Sequence, residues 1–186
     1  DLETAITGNE ALGAGFLSRI NMDLRETKGW SYGVRGGMFR VVGDVPYIIT
    51  APVQADKTGE AIAALRQNYQ EFLTTKGMTD EEKDRIINGN IRELPGSFET
   101  SGDVLGAMQG NALYNRPDNY QATLASKYKA MTKEGMDQAV RALVKPDQFV
   151  WVVVGDAAKV KPQLEALGLP IEMAGEAAKP TDTSAN

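Results

Sequence analysis

Segments with strand-like sequence lie near both ends of the chain and enclose a long helical block. At one end, SYGVRGGMFRVV, a Gly43-Asp44 turn and VPYIITAPV give residues 32–53 a β pattern. At the other end, the apolar run FVWVVV at 149–154 is followed by PIEM at 170–173. This order predicts an α+β domain, in which one mostly antiparallel sheet is covered on one face by several helices.

The first predicted helix precedes the β segment. It ends near Gly29, because glycine suits the left-handed position that closes a helix. The small residues GAG at 13–15 weaken it but let another backbone pack closely. Its apolar stripe recurs every four residues: Leu12, Phe16, Ile20 and Leu24.

The helical block follows residue 55. Asp56 is the expected cap of its first helix, and Thr79 with Glu82 forms a capping box for a helix that stops at Pro95. Further helices are expected at about 100–114, 118–130 and 133–144, the last capped by Thr132, and one more before Gly168. Residues 1–173 are therefore expected to form a single domain, and the small, polar stretch 174–186 a disordered tail.

Charge and hydropathy narrow the range of partners. The chain has 186 residues, a net charge of −5 and a sequence pI near 4.9, which argues against nucleic acid as a partner. Its longest apolar run, 149–154, is far shorter than the roughly 20 residues that span a bilayer. The first ten residues, DLETAITGNE, lack the basic start and apolar stretch of a signal peptide. Neither a nucleic acid nor a membrane is therefore expected to bind.

The chain contains no histidine and no cysteine. This composition removes thiolate zinc sites, disulfides and the serine–histidine and cysteine–histidine forms of catalysis within the chain. A site built only from carboxylates stays possible. The acidic run TDEEKD at 79–84 lies at a helix start, where carboxylates favour the helix dipole. GAGFLS at 13–18 lacks the third glycine and the preceding strand of a dinucleotide site.

Arg25 and Tyr32 lie seven residues apart in LRETKGWSYG, at the predicted change from helix to strand. One interpretation is local: arginine complements the helix dipole, and tyrosine begins a strand. The other is that both polar tips project into a cavity. A guanidinium offers a rigid fork of donors and a phenol adds one directed hydrogen bond, so together they could hold a peptide backbone or stabilise an oxyanion.

The longer stretch NEALGAGFLSRINMDLRETKGWSYGV, residues 9–34, resembles the C-terminal domain of insulinase-like (pitrilysin-type) zinc peptidases and of mitochondrial processing peptidases. Later segments fit in order, so the resemblance extends over about residues 5–173. Ala14, Ile20 and Trp30 depart mildly from the family pattern. The matching residues are Asn9, Leu12, Gly13, Gly15, Ser18, Arg19, Asn21, Leu24, Arg25, Glu26, Gly29, Tyr32 and Gly33.

The resemblance implies a sheet-and-helix domain of the LuxS and processing-peptidase type, four of which form a clam-shell around a chamber. It implies that zinc is bound by an H-x-x-E-H motif in a partner domain or subunit, because this chain has no histidine. Arg25 and Tyr32 would then face that zinc and contact the substrate peptide. The strand that the family places before the first helix is missing from this sequence, as though the sequence begins inside the domain.

The main hypothesis is therefore the non-zinc C-terminal domain of a zinc metallopeptidase, which contributes substrate binding and transition-state support and is inactive alone. The alternative is a catalytically inactive scaffold or binding subunit of the same fold, like the core subunits of respiratory complexes. A carboxylate-only hydrolase outside the family is a third reading. A cysteine-free chain with a loose, Ala- and Thr-containing end suits a bacterial periplasm better than the cytoplasm.

Overall fold

The fold is mostly helical. The computed structural model describes residues 1–174, of which 61% are helical, and this part contains one two-stranded sheet. The expectation of a mostly antiparallel sheet covered by helices is therefore wrong. Residues 1–174 form eight α-helices: α1 (Leu2–Asn9), α2 (Arg19–Asn21), α3 (Thr58–Thr74), α4 (Asp80–Glu93), α5 (Ser101–Leu113), α6 (Tyr120–Ala130), α7 (Lys133–Leu143) and α8 (Ala157–Glu165).

The first predicted helix is broken in the middle. After α1 the backbone forms a π-helical turn over Glu10–Ala14, and Gly15 is extended, with ψ 156°. The chain resumes as α2 and then forms a second π-helical turn over Met22–Thr27. Because the break changes the phase of the apolar stripe, Phe16 is 58% exposed and its predicted core position is wrong, whereas the other three stripe residues are fully buried.

The β hairpin packs against this first segment. Strands β1 (Arg35–Met38) and β2 (Tyr47–Thr50) are antiparallel, and Gly43 in the turn between them has φ +102°. Asn9 donates from Nδ2 to the Gly36 carbonyl oxygen at 2.8 Å. A Cβ on Gly13 would lie 2.7 Å from that same oxygen. The predicted close approach of another backbone to the GAG segment is therefore confirmed, and its partner is β1.

The helices of the central block form largely where the sequence predicts them. Both halves of the capping box are present at α4, where the Glu82 amide donates to Thr79 Oγ1 at 3.1 Å and the Thr79 amide donates to Glu82 Oε2 at 2.8 Å. Thr132 caps α7 by accepting from the Gly135 amide at 3.1 Å. The predicted cap Asp56 is wrong, because it lies inside a 3₁₀ turn that precedes α3.

Neither predicted C-terminal strand forms. Residues 149–154 keep the alternation typical of a strand, since Val150, Val152 and Val154 are 87%, 85% and 95% exposed while Phe149 and Trp151 pack against the core. A strand also needs hydrogen bonds to a neighbouring strand, and nothing in residues 1–174 pairs with this segment. Residues 170–173 are likewise unpaired. The predicted disordered tail, from residue 175 onward, lies outside the described residues.

One apolar core joins the first segment to α3, α4 and α7. Its largest fully buried side chains include Tyr69 and Phe72 of α3, Leu12 and Leu24 of the first segment, and Met136 of α7. Burial of apolar area of this kind is the main favourable contribution to folding. Within residues 1–174, no helix combines the length and the apolar character needed to cross a bilayer.

Candidate substrate-binding site

The structure places the two site residues predicted from sequence in the same cavity. This cavity has a volume of about 290 Å³ and lies where the second π-helical turn meets the hairpin. Its lining includes Arg25 and Tyr32, and it contains no aspartate or glutamate: Gly15, Phe16, Asn21, Arg25, Tyr32, Gly33, Val34, Arg35, Thr50 and Pro52.

Arg25 lies on the second π-helical turn, and its guanidinium is held by two neighbours. Its central carbon lies 4.7 Å from the centroid of the Phe16 ring, and its Nε lies 3.3 Å from Glu26 Oε1. An arginine over an aromatic face in this way gains a modest cation–π stabilisation. Its side chain is 35% exposed, and its two Nη groups donate no hydrogen bond within residues 1–174. The two Nη groups of Arg25 are therefore available to a ligand.

Tyr32 is presented by a tight turn after the helix. Gly29 ends the helix with φ +65°, and its amide donates to the Arg25 carbonyl oxygen at 3.1 Å. Ser31 then anchors the chain, since its hydroxyl donates to the Pro52 carbonyl oxygen at 2.6 Å and accepts from the Gly33 amide at 3.1 Å. Tyr32 projects between these anchors and is fully exposed, so its phenol is available as a donor.

Asn21 connects the two walls of the cavity. Its Nδ2 donates to the Phe16 carbonyl oxygen at 2.7 Å, and its Oδ1 accepts from the Val34 amide at 2.9 Å. The side chain is only 4% exposed, so both bonds are protected from water. This residue therefore fixes the strand that follows Tyr32 relative to the helical segment that carries Arg25.

Arg35 is a cavity residue that the sequence analysis missed. It pairs with Thr50 across the hairpin, and both side chains are exposed, whereas the next residue, Gly36, is buried. The period-2 alternation of a strand could have placed Arg35 opposite the core, but its proximity to Arg25 depends on how the hairpin packs. Two guanidinium groups and no acid in the lining make this cavity suited to an anion or a carbonyl oxygen.

A buried polar cluster joins the hairpin to α1 and α3. Tyr47 Oη donates to Asn9 Oδ1 at 2.7 Å and lies 2.7 Å from Tyr69 Oη. Burial raises the pKa of the Tyr47 phenol, although its hydrogen bonds with Tyr69 and Asn9 oppose this effect, and burial also raises the pKa of Tyr69. Both phenols thus stay protonated at neutral pH and act as fixed structural donors.

The side chains of this chain do not fit a zinc ion. Zinc requires histidine, cysteine or clustered carboxylate ligands, and the sequence has neither of the first two. In the part of the chain that the structure describes, no three candidate ligands lie close enough together to hold a metal.

Comparisons with known proteins agree with the resemblance. Residues 3–90 match the family described as the peptidase M16 inactive domain. A crystal structure of a peptidase M16 inactive domain from Pseudomonas fluorescens is 26% identical over 78% of this chain, with a TM-score of 0.69. The structure of a protease from Helicobacter pylori is 16% identical over 78% of this chain, with a TM-score of 0.61, and supports the fold alone.

The match over residues 3–90 and the similar structure from Pseudomonas fluorescens support a C-terminal domain of the M16 peptidase type, as the resemblance to insulinase-like peptidases predicted. The chain spans about a third of each of these two structures, 34% and 35% of their lengths. Among curated protein sequences, none matches the chain.

Proposed function

We propose that this domain holds the substrate peptide in a zinc metallopeptidase whose zinc is bound by a partner domain or subunit. The observation that supports the proposal is that Arg25 and Tyr32 line the same cavity. Both residues carry donors without a partner inside the described part of the chain. Neither side chain can act as a general base at neutral pH, so their role is binding and charge stabilisation rather than activation of water.

The proposed chemistry follows from the shape of the two donors. The Arg25 fork would receive a carbonyl oxygen of the peptide, and it is already oriented by the Phe16 ring. The Tyr32 phenol would donate one hydrogen bond to the same carbonyl oxygen. When the carbonyl gains negative charge during hydrolysis, both bonds strengthen. Loss of one such donor typically lowers the rate by about 10²–10³.

The experiment uses the assembled peptidase, formed with its zinc-bearing partner and supplied with a quenched fluorescent peptide. Replacement of Arg25 by Met is expected to lower kcat/KM by about 10²-fold, while the zinc content stays the same. A matched control is Arg92→Met, since Arg92 lies in the last turn of α4, away from the cavity. Unchanged turnover in Arg25→Met would remove Arg25 from the site and favour the scaffold function instead.

We also propose that the assembled peptidase is located in the periplasm. A periplasmic assembly would suit a cysteine-free chain, because the absence of thiols avoids unwanted disulfides in an oxidising compartment. Fractionation of the source cells, with detection of this domain by antibody, tests the assignment. Recovery with cytoplasmic markers would contradict it.

A further inference from the structure

Arg35 brings a second guanidinium to the cavity of Arg25 and Tyr32, and the proposed contact with a carbonyl oxygen does not use it. Arg35 lies directly opposite Thr50 in the hairpin. Residues opposite each other in an antiparallel pair carry their side chains on the same face, with Cβ atoms about 4.5–5.5 Å apart. Neither side chain forms a hydrogen bond within residues 1–174. The hairpin wall of the cavity therefore presents a guanidinium and a hydroxyl that are both available to a ligand.

The charges that line this cavity are unbalanced. Arg25 and Arg35 both belong to the lining, which contains no aspartate or glutamate. Arg25 Nε lies 3.3 Å from Glu26 Oε1, but the Glu26 side chain is 48% exposed and lies outside the lining. Arg35 takes part in no ion pair within residues 1–174. Two like charges near one another repel, and an anion between them removes that repulsion. The cavity therefore favours a negative group, although the chain as a whole has a net charge of −5.

The size of the cavity limits where that negative group can lie on a bound peptide. A cavity of about 290 Å³ is roughly 7 Å across, the length of about two residues of an extended chain at about 3.3 Å each. If Arg25 holds a carbonyl oxygen, a group that reaches Arg35 must come from the same residue or the next one. The negative groups of an unmodified peptide are carboxylates, and a planar carboxylate matches the fork of a guanidinium with two parallel hydrogen bonds.

We propose that Arg35 determines substrate specificity by binding a carboxylate of the peptide next to the bond that is cleaved. The carboxylate belongs either to an aspartate or glutamate side chain or to the C-terminus of the peptide. This inference rests on the proposed function, because it takes the position of the peptide from the contact with Arg25. The carboxylate carries the same charge before and during hydrolysis, so its contact with Arg35 acts on KM and leaves kcat nearly unchanged.

The test compares two pairs of peptides on the peptidase assembled with its zinc-bearing partner, with cleavage followed by chromatography. In the first pair, the residue before or after the cleaved bond is glutamate or glutamine. In the second pair, the peptide ends one residue after that bond with a free or an amidated C-terminus. The carboxylate is expected to lower KM about tenfold in one of the pairs, because charge-assisted bidentate contacts are strong, and that pair identifies its source. Equal KM values within both pairs would overturn the proposal.

Arg35→Met connects this preference to the residue. The variant removes the guanidinium from an exposed position, so it is expected to raise KM for the carboxylate peptide to that of its neutral partner and to leave the neutral peptide unchanged. Arg92→Met, outside the cavity, is the control and should keep the full preference. A preference that survives in Arg35→Met would overturn the proposal.

Arg25→Met separates this inference from the proposed function. It is expected to slow cleavage of the carboxylate peptide and of its neutral partner alike. Slower cleavage in Arg25→Met, with no preference for a carboxylate in the unaltered protein, would refute the role of Arg35 alone. Unchanged cleavage of both peptides in Arg25→Met would refute the proposed function itself.

Discussion

Loss of the Arg19 side chain is expected to destabilise the fold strongly, because it connects the broken first segment to the start of α4. Its guanidinium donates to both carboxylate oxygens of Glu82, from Nε at 2.9 Å and from Nη2 at 2.8 Å. It also donates to the carbonyl oxygens of Gly77, at 2.8 Å, and of Lys76. Its central carbon lies 4.9 Å from the centroid of Phe72.

The magnitude follows from the groups that Arg19→Met would leave without a partner. Hydrogen bonds to charged groups contribute about 1.5–3 kcal/mol each, and breaking a fully buried ion pair costs about 3–5 kcal/mol. Glu82 is only 15% exposed but keeps its bond to the Thr79 amide. The loss is therefore expected near the lower bound for a buried pair, at about 3 kcal/mol, because methionine retains the packing against Phe72.

Urea denaturation followed by circular dichroism measures this loss, and a thermal scan should show a midpoint lowered by about 6–12 °C. Lys133→Ala is the matched control, since the Lys133–Asp80 pair, 2.8 Å apart, lies at the start of the same helix but is exposed on the Asp80 side. It is expected to leave the denaturation midpoint unchanged. A loss below about 1 kcal/mol in Arg19→Met, the size of one ordinary hydrogen bond, would refute the reasoning.

Other predictions concern packing, pH and metal content. Gly13→Ala is expected to lower the free energy of unfolding by about 1–3 kcal/mol, because the new Cβ would lie 2.7 Å from the Gly36 carbonyl oxygen. Gly89→Ala is the control, since Gly89 has open space around it in α4, and it should raise the free energy of unfolding by about 1 kcal/mol. Urea denaturation measures both changes. Burial acts to raise the pKa of Glu82, but hydrogen bonds with Arg19 and Thr79 outweigh it and lower the pKa below 4.5. The Arg19–Glu82 pair therefore stabilises the fold above pH 4.5, and this stability should be lost as pH falls through the lowered pKa. The free energy of unfolding should depend less on pH in Arg19→Met. The isolated chain is expected to bind no stoichiometric zinc and to hydrolyse no peptide, and one zinc per chain by atomic absorption would contradict the assignment of zinc to a partner.

Local sequence signals predicted the elements that depend on local interactions. The capping box at Thr79 and the cap at Thr132 are made within one helical turn, so they can be recognised without knowledge of the fold. Arg25 and Tyr32 are close in sequence and separated by one capped helix end at Gly29, and the family motif singles them out. The sequence was therefore sufficient to predict that both side chains lie in one cavity.

Tertiary contacts determined the features that sequence reasoning missed. Phe16 leaves the apolar stripe because the chain unwinds at Gly15, and it becomes the ring beneath Arg25. Residues 149–154 have a strand-like pattern, but a pattern cannot supply the neighbouring strand that a sheet requires. The sheet was therefore overestimated, because strand pairing is a long-range property and helix formation is mainly a local one.

The proposed function requires that Arg25 and Tyr32 act together on one substrate group. A double-mutant cycle on the assembled peptidase measures this directly, by comparing kcat/KM for Arg25→Met, Tyr32→Phe and the double variant at constant zinc content. Each single change is expected to lower kcat/KM, and the double variant is expected to lose less than the product of the two single losses, because both donors serve the same carbonyl. A double variant that loses the full product, or one that keeps full turnover, would contradict this claim.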